Sequence, residues 1–352
     1  MALNWLEEVE GLSSAALTVQ AQAVSALDMD EILHPAFFPY TDADSVDLQT
    51  IFELDKRYTA DRRDWNARGR FIPQDLPRIG KLSMVPVESY DKVAEQEQQA
   101  IRERALGNEQ IFRQVIGASI PARVDKLVAA NFRRIDLDAF SAWAKGEIVA
   151  MNPQNGQTHT VDLGFDSDRQ QQADTAWNDA AVNAYDELLA WVEDGESEMG
   201  PIGGVVLRRN AFKAIRDDAP NPLSSNVRIT RSALESQLSD DLGHAFRFYI
   251  LETHFDVFTD GGSAVTRTAV WPDGFVAAVP QSGVVGATYR APVVRAMEIA
   301  SQIPGAGVDV RGMTVYYDYE NGGRTAVIEC QANHLAMPAE RNVWTIDSGV
   351  TS

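Results

Sequence analysis

Apolar residues recur every three or four positions after Pro121, at Val124, Val128, Phe132, Ile135, Ala139 and Trp143. That spacing predicts a long one-faced helix, opened by a proline suited to a first turn and ending near Lys145-Gly146. Upstream, SYDKVAEQEQQAIRERAL, from Glu88 to about Leu106, is polar and rich in helix formers, and NEQIFRQVIGA reads as a second, short helix. Downstream, EIVAM and THTVDLGF flank MNPQNGQ, where Asn155-Gly156 signals the tight turn of a hairpin. Trp177, Ala181, Ala184, Leu188 and Trp191 mark another amphipathic helix, and Gly203-Gly204 precede a short strand, Val205 to Leu207, then a helix. Residues 230 to 242 read as a helix. FRFYILETHFDVFT, VWPDGFVAAVPQ and MTVYYDYENGGRTAVIEC read as strands, the last folding back at Asn321-Gly322-Gly323. The order is α+β with long-range strand pairing and no internal repeat.

The first 81 residues follow a different pattern. A short amphipathic stretch (Trp5, Leu6, Val9, Leu12, then Leu17 to Leu27) precedes HPAFFPY, whose prolines favour an extended path, so residues 1 to 55 read as an arm. Residues 56 to 81, with Pro73 and Pro77, resemble a long hairpin with little apolar material to hold it down.

Charge sharpens that division. The chain carries −20 over 352 residues. Its first 55 residues hold eleven acids and no Lys or Arg, whereas residues 56 to 81 hold eight basic residues against three acids. An acidic chain is a poor wrapper of nucleic acid, whose affinity comes largely from neutralised phosphates. Complementary blocks point instead to contacts between protein segments.

Candidate chemistry is sparse. Cys330, the single cysteine, excludes an internal disulfide and sits in an alternating run (Ala326, Ile328, Cys330) where a small buried hydrophobe fits. His34, His159, His244, His254 and His334 form no close metal pair. GPIGGVVL (200 to 207) lacks both phosphate-loop patterns, so its glycines read as a turn. Ser282 stands in no nucleophile elbow. MALNWLEEVEGL has no basic signal-peptide region, and no apolar run reaches the roughly 18 residues of a membrane span, so a reducing, soluble compartment is expected. No cofactor, metal or catalytic residue is expected, and the lack of a catalytic motif argues against an enzyme.

The order of parts resembles a tailed-phage major capsid protein of the Hong Kong 97 fold, and more narrowly the lambda-type family, family E. Three stretches carry the likeness: RIDLDAFSAWAKGEIVAMNPQNGQTHTVDLGF (134 to 165), GPIGGVVLRRNAFKAIRDD (200 to 218), and WPDGFVAAVP through YYDYENGGRTAVIECQANHLAMPAERNVWTI. The resemblance implies an N-terminal arm (1–55), an extended loop (56–87), a peripheral domain with a long spine helix (88–165 and 305–352) and an axial domain (166–304). It implies a head shell of hexamers and pentamers that encloses double-stranded DNA without reading its sequence. It also implies a separate scaffolding protein, a portal, a decoration protein in some relatives, assembly in the host cytoplasm and a final place in the virion. Loop cross-linking, which some relatives perform, does not map onto Lys56 or Lys81.

Under this resemblance Arg62, Arg63, Arg68, Arg70 and Arg78 make the inter-subunit contacts, reaching carboxylates of a neighbouring copy. Two alternatives are an encapsulin-like nanocompartment shell, which shares the architecture, and an acidic cytosolic hydrolase or binding protein.

Overall fold

The computed structural model describes residues 13–24, 32–45, 47–52, 78–84, 86–104, 108–151, 158–220, 229–259, 264–302, 307–320 and 325–350. In chain order the first elements are α1 (Ser14–Ala23), α2 (His34–Phe37), β1 (Tyr40–Asp42), β2 (Asp47–Phe52), β3 (Arg78–Ser83), β4 (Val87–Val93), α3 (Glu95–Arg104) and α4 (Glu109–Lys145). Then come β5 (Glu147–Met151), β6 (Thr158–Asp162), β7 (Gln170–Gln172), α5 (Ala184–Met199), β8 (Ile202–Leu207), α6 (Arg209–Asp218), α7 (Arg231–Leu242) and β9 (Arg247–Ile250). The last are β10 (His254–Thr259), β11 (Ala264–Ala269), β12 (Phe275–Pro280), β13 (Gly286–Ala291), α8 (Val294–Gln302), β14 (Thr314–Glu320), β15 (Thr325–Pro338) and β16 (Thr345–Asp347).

The spine is α4, a 37-residue helix. Asn108 caps its start by accepting from the backbone N–H of Gln110 and Ile111, and Gly146 closes it in the left-handed conformation at φ 68°. The expected stop is therefore met. The expected break before Pro121 is not: NEQIFRQVIGA and the following stretch form one helix through the proline. A proline costs one backbone hydrogen bond, and here the flanking Ile116, Ile120, Val124 and Val128 are all fully buried, so packing outweighs that cost.

The face of α4 that carries these residues lies on a sheet ordered β1-β13-β15-β14, in which β4 also pairs with β15. Asn131 donates to the carbonyl of Cys330 at 3.0 Å, and Ser89 on β4 donates to the carbonyl of Leu127 at 3.1 Å. Residues 88 to 93, expected as helix, thus belong to a strand, Val87–Val93. Its inward positions Val87, Ser89, Asp91 and Val93 alternate with exposed Glu88, Tyr90 and Lys92, a period of two that the polar composition hid. β15 is also longer than expected: its first half pairs with β14 and β4, and its second half carries on to pair with β13.

The second sheet runs β7-β16-β12-β8-β9. Alternate residues of β8 and β12 serve two cores. Val206, Ala277 and Val279 face the α4 side, while Val205, Leu207, Val276 and Ala278 face α5, α6 and α7. Gly204 sits where β9 comes closest: a Cβ there would lie 2.2 Å from the carbonyl oxygen of Arg247, so this glycine serves a strand contact and not the expected turn. α5 starts at Ala184, later than its apolar spacing predicts, because Trp177 is held by the C-terminal segment, its N–H donating to the carbonyl of Ser348 at 3.0 Å.

Sheet membership does not follow chain order at two places. Residues 286–291 pair with β15 although they precede the closing strands, and residues 345–347 pair with β12 and β7 although they follow them. The expected arm is in part the body's own core. α1 lies on β14, where the buried Thr18 hydroxyl donates to the carbonyl of Val315 and accepts from its N–H, and Phe37 and Phe38 are buried. HPAFFPY is not extended throughout, since Pro35 occupies the first turn of the short helix α2.

Trp143, near the end of α4, is fully buried among Phe37, Phe38, Phe140 and Trp271, with ring centroids 5.4 to 6.3 Å away. It joins three parts of the chain that are distant in sequence. Trp143→Ala is expected to destabilise the subunit by about 3–5 kcal/mol, checked by urea denaturation.

Candidate functional site

Arg62, Arg63, Arg68 and Arg70 lie outside the described residues. Arg78 opens β3, opposite Phe52 of β2, in an antiparallel ladder that runs from Asp47↔Ser83 to Phe52↔Arg78. Residues 53 to 77 connect the distal ends of these two strands. The site that can be built atom by atom is the root of this hairpin, residues 32 to 45, where the chain leaves the body.

Its deepest member is Asp136, on the buried face of α4. The carboxylate accepts from the backbone N–H of Leu33 at 3.0 Å, from the backbone N–H of His34 at 2.8 Å, and from His34 Nδ1 at 2.6 Å, with both side chains fully buried. Three donors on one carboxylate satisfy a charge that would otherwise be too costly to bury. His34 Nε2 meets the Tyr40 hydroxyl at 3.2 Å. The Tyr40 ring is 37% exposed, but its hydroxyl end points inward, and burial there, aided by the Asp136 charge, pushes the phenol above its ordinary range. Tyr40 therefore remains a donor.

From Tyr40 the chain runs as β1, parallel to β13, with Tyr40↔Thr288 and Asp42↔Arg290 in register. Arg290 stacks over the Tyr40 ring at 5.6 Å and pairs with Asp42 at 2.6 Å. Arg311 donates to the carbonyl of Ala43 and pairs with Asp44 at 3.0 Å. Opposite Arg290 on β15 lies His334, 6% exposed, its ring 6.1 Å from that of Tyr40. Apart from His34 with Tyr40, six residues on, none of these contacts is local in sequence. His34 and Asp136 are 102 residues apart, so no spacing rule could have found them.

The other candidates for chemistry are placed as structural groups. Cys330 is fully buried, and burial pushes its thiol up to about 12, far from the reactive range. His254 donates through Nδ1 to the carbonyl of Glu252 at 2.7 Å and accepts at Nε2 from Arg208, which itself pairs with Asp273. His244 pairs with Glu196, and the side chain of His159 lies outside the described residues. Ser282 Oγ accepts from the N–H of Val284 in a turn, beside a cleft of about 410 Å³ also lined by Glu198, Met199, Gln281 and Arg341. Among the described residues no group of three or more His, Cys, Asp or Glu could hold a metal ion, and no helix is long and apolar enough to cross a membrane.

No family model matches the chain, and no curated protein matches it. Solved structures do. A protein assigned as the capsid protein of a prophage of Escherichia coli CFT073 superposes with a TM-score of 0.57 at 10% identity, covering 96% of this chain and 99% of that one. The capsid of Myoviridae phage XM1 matches at 0.46 and 11%, covering 88% of each chain, and the encapsulin of a holo-SrpI complex from Synechococcus elongatus at 0.36 and 12%, covering 92% of this chain and 91% of that one. The fold is that of a phage capsid subunit, of the Hong Kong 97 type that the sequence resembles.

Asp136→Ala leaves three buried donors without their acceptor and is expected to cost about 3–5 kcal/mol. Asp42→Ala, which removes a half-exposed partner of Arg290, is expected to cost under about 1 kcal/mol. Urea denaturation of the two variants side by side checks the contrast.

Proposed function

We propose that this chain is the major capsid protein of a tailed phage, a structural subunit and not an enzyme, which assembles as hexamers and pentamers into the head shell around double-stranded DNA. The observation that carries the reading is the superposition on a prophage capsid protein over nearly the whole of both chains. In this reading residues 1–55 are the arm and 56–87 the extended loop. Residues 88–165 with 305–352 form the peripheral domain and 166–304 the axial domain, with β13 joining the peripheral sheet and β16 the axial one.

The charge distribution supports assembly through the loop. The solvent face of β4, β15 and β14 carries Glu88, Glu329, Asp318 and Glu320, the last paired with Lys92 of the same face at 2.8 Å, beside Tyr90, which is 64% exposed, and Tyr316. Burial, and after it the nearby Glu88 and Asp318, raises the Glu329 carboxyl. Arg62, Arg63, Arg68, Arg70 and Arg78 of a neighbouring copy are suited to carboxylates of such a face, bidentately or stacked on tyrosine. The surplus negative charge elsewhere suits a container that must release its DNA. A separate scaffolding protein, a portal and a decoration protein are the partners of this reading. Its place is the virion, after assembly in the host cytoplasm.

Reversing Arg62, Arg63, Arg68 and Arg70 to glutamate is expected to leave the subunit folded, since surface changes usually stay within about 0.5 kcal/mol, yet to prevent stable shells, because symmetry repeats each lost contact. Circular dichroism reads folding, and sedimentation velocity with negative-stain microscopy reads assembly, with scaffold co-expressed. Failure of the unaltered protein to form closed shells under the same conditions would overturn the proposed function; normal shells from the quadruple variant would overturn the role of the four arginines.

A further inference from the structure

His334 holds its ring where a second proton has nowhere to go. Nε2–H donates to the backbone carbonyl of Arg311 at 3.1 Å, which fixes the tautomer and leaves Nδ1 as a bare acceptor. Nδ1 is buried and has no hydrogen-bond partner among the described residues. Around the ring stand Arg290 on β13, the Tyr40 ring on β1, and His34 on α2, itself bonded to Asp136 of α4. Asp309, half-exposed and 3.5 Å from Arg290, is the carboxylate that opposes them. A protonated ring would be a buried cation beside a fixed guanidinium.

We propose that β1 is a strand clamped by neutral His334 and released by acid: protonation at Nδ1 parts residues 40–43 from β13 and frees the base of the β2–β3 hairpin while the rest of the fold holds.

The clamp is narrow. β1 is three residues long, and its outer ties are the Ala43 N–H to the Arg290 carbonyl at 2.8 Å and the Thr288 N–H to the Pro39 carbonyl at 2.9 Å. Burial, ahead of the Arg290 charge, lowers the His334 pKa from 6.5 to about 4. With β1 open the ring meets water and takes its proton near the ordinary value. Between pH 6.5 and about 4 the open form therefore binds a proton that the closed form refuses, so opening grows about tenfold for each pH unit lost. Above pH 6.5 the clamp is insensitive to pH. Asp42, Asp44 and Asp309 are the partners of Arg290 and Arg311 in the same contacts, so the histidine must be tested apart from them.

The variant His334→Gln does this. It leaves the three carboxylates in place and offers a neutral amide that can donate to the Arg311 carbonyl. Hydrogen exchange of the full chain, corrected for intrinsic rates, is followed from pH 7 to 4.5 in peptides covering residues 39–45 and 286–291, with α4 as internal reference. In the wild type, protection of both peptides is expected to fall on the order of a hundredfold while α4 keeps its own. In His334→Gln the fall is expected to be under about tenfold. Equal losses in the two proteins, or undiminished protection in the wild type, would overturn the proposal. If the variant does not fold, ring-labelled histidine NMR of the wild type decides. Uptake of a proton by His334 over the same interval as the opening supports the clamp, and opening with His334 still neutral sinks it.

Discussion

A 37-residue helix with one continuous apolar face cannot stand uncovered in water, and the rest of this structure depends on how α4 is covered. At fully buried side chains worth about 1.5–3 kcal/mol each, the face from Ile116 to Trp143 outweighs any local preference nearby. It keeps Pro121 inside a helix and turns a polar stretch, 87 to 93, into a strand. It also takes Phe37 and Phe38 from the N-terminal segment into the core. The second sheet closes over the far end of α4 with one face and packs its own helices on the other, so the two cores share β8 and β12 as a wall.

Polar groups in this interior are used for anchorage. Asp136 is spent wholly on Leu33 and His34. That holds the chain at the place where it departs toward β2 and β3, so the hairpin leaves a fixed base. On the surface the pattern reverses: carboxylates crowd the outer face of β4, β15 and β14 while the densest positive charge sits in residues 56 to 81. Like charges on neighbouring strands weaken a lone subunit slightly, and Lys92, paired with Glu320, offsets part of that penalty.

Catalytic and metal signatures depend on close spacing, which is visible in one dimension. The root of the hairpin was not legible, because His34, Asp136, Arg290, Arg311 and His334 come from five separate stretches and each looks isolated alone. Tyr40 and Asp42 carry no mark of a strand either. β1 exists because β13 offers it an edge, and its pairing is parallel, with a partner some 250 residues on.

By itself the sequence determined the periodic elements: the spine helix and its glycine stop, the paired strands on either side of residues 152 to 157, the helix expected over 230 to 242, and the closing strands. These follow from local rules, the repeat of apolar side chains and the backbone demands of Gly, Asn and Pro, which act within a few residues. Only the tertiary structure decided which strands share a sheet, that β13 precedes and β16 follows the sheets they join, and that a buried histidine faces an arginine at the loop's root. Those outcomes depend on which surfaces remain to be covered once α4 is packed. Such competition is settled among groups far apart in the chain, and no local pattern encodes it.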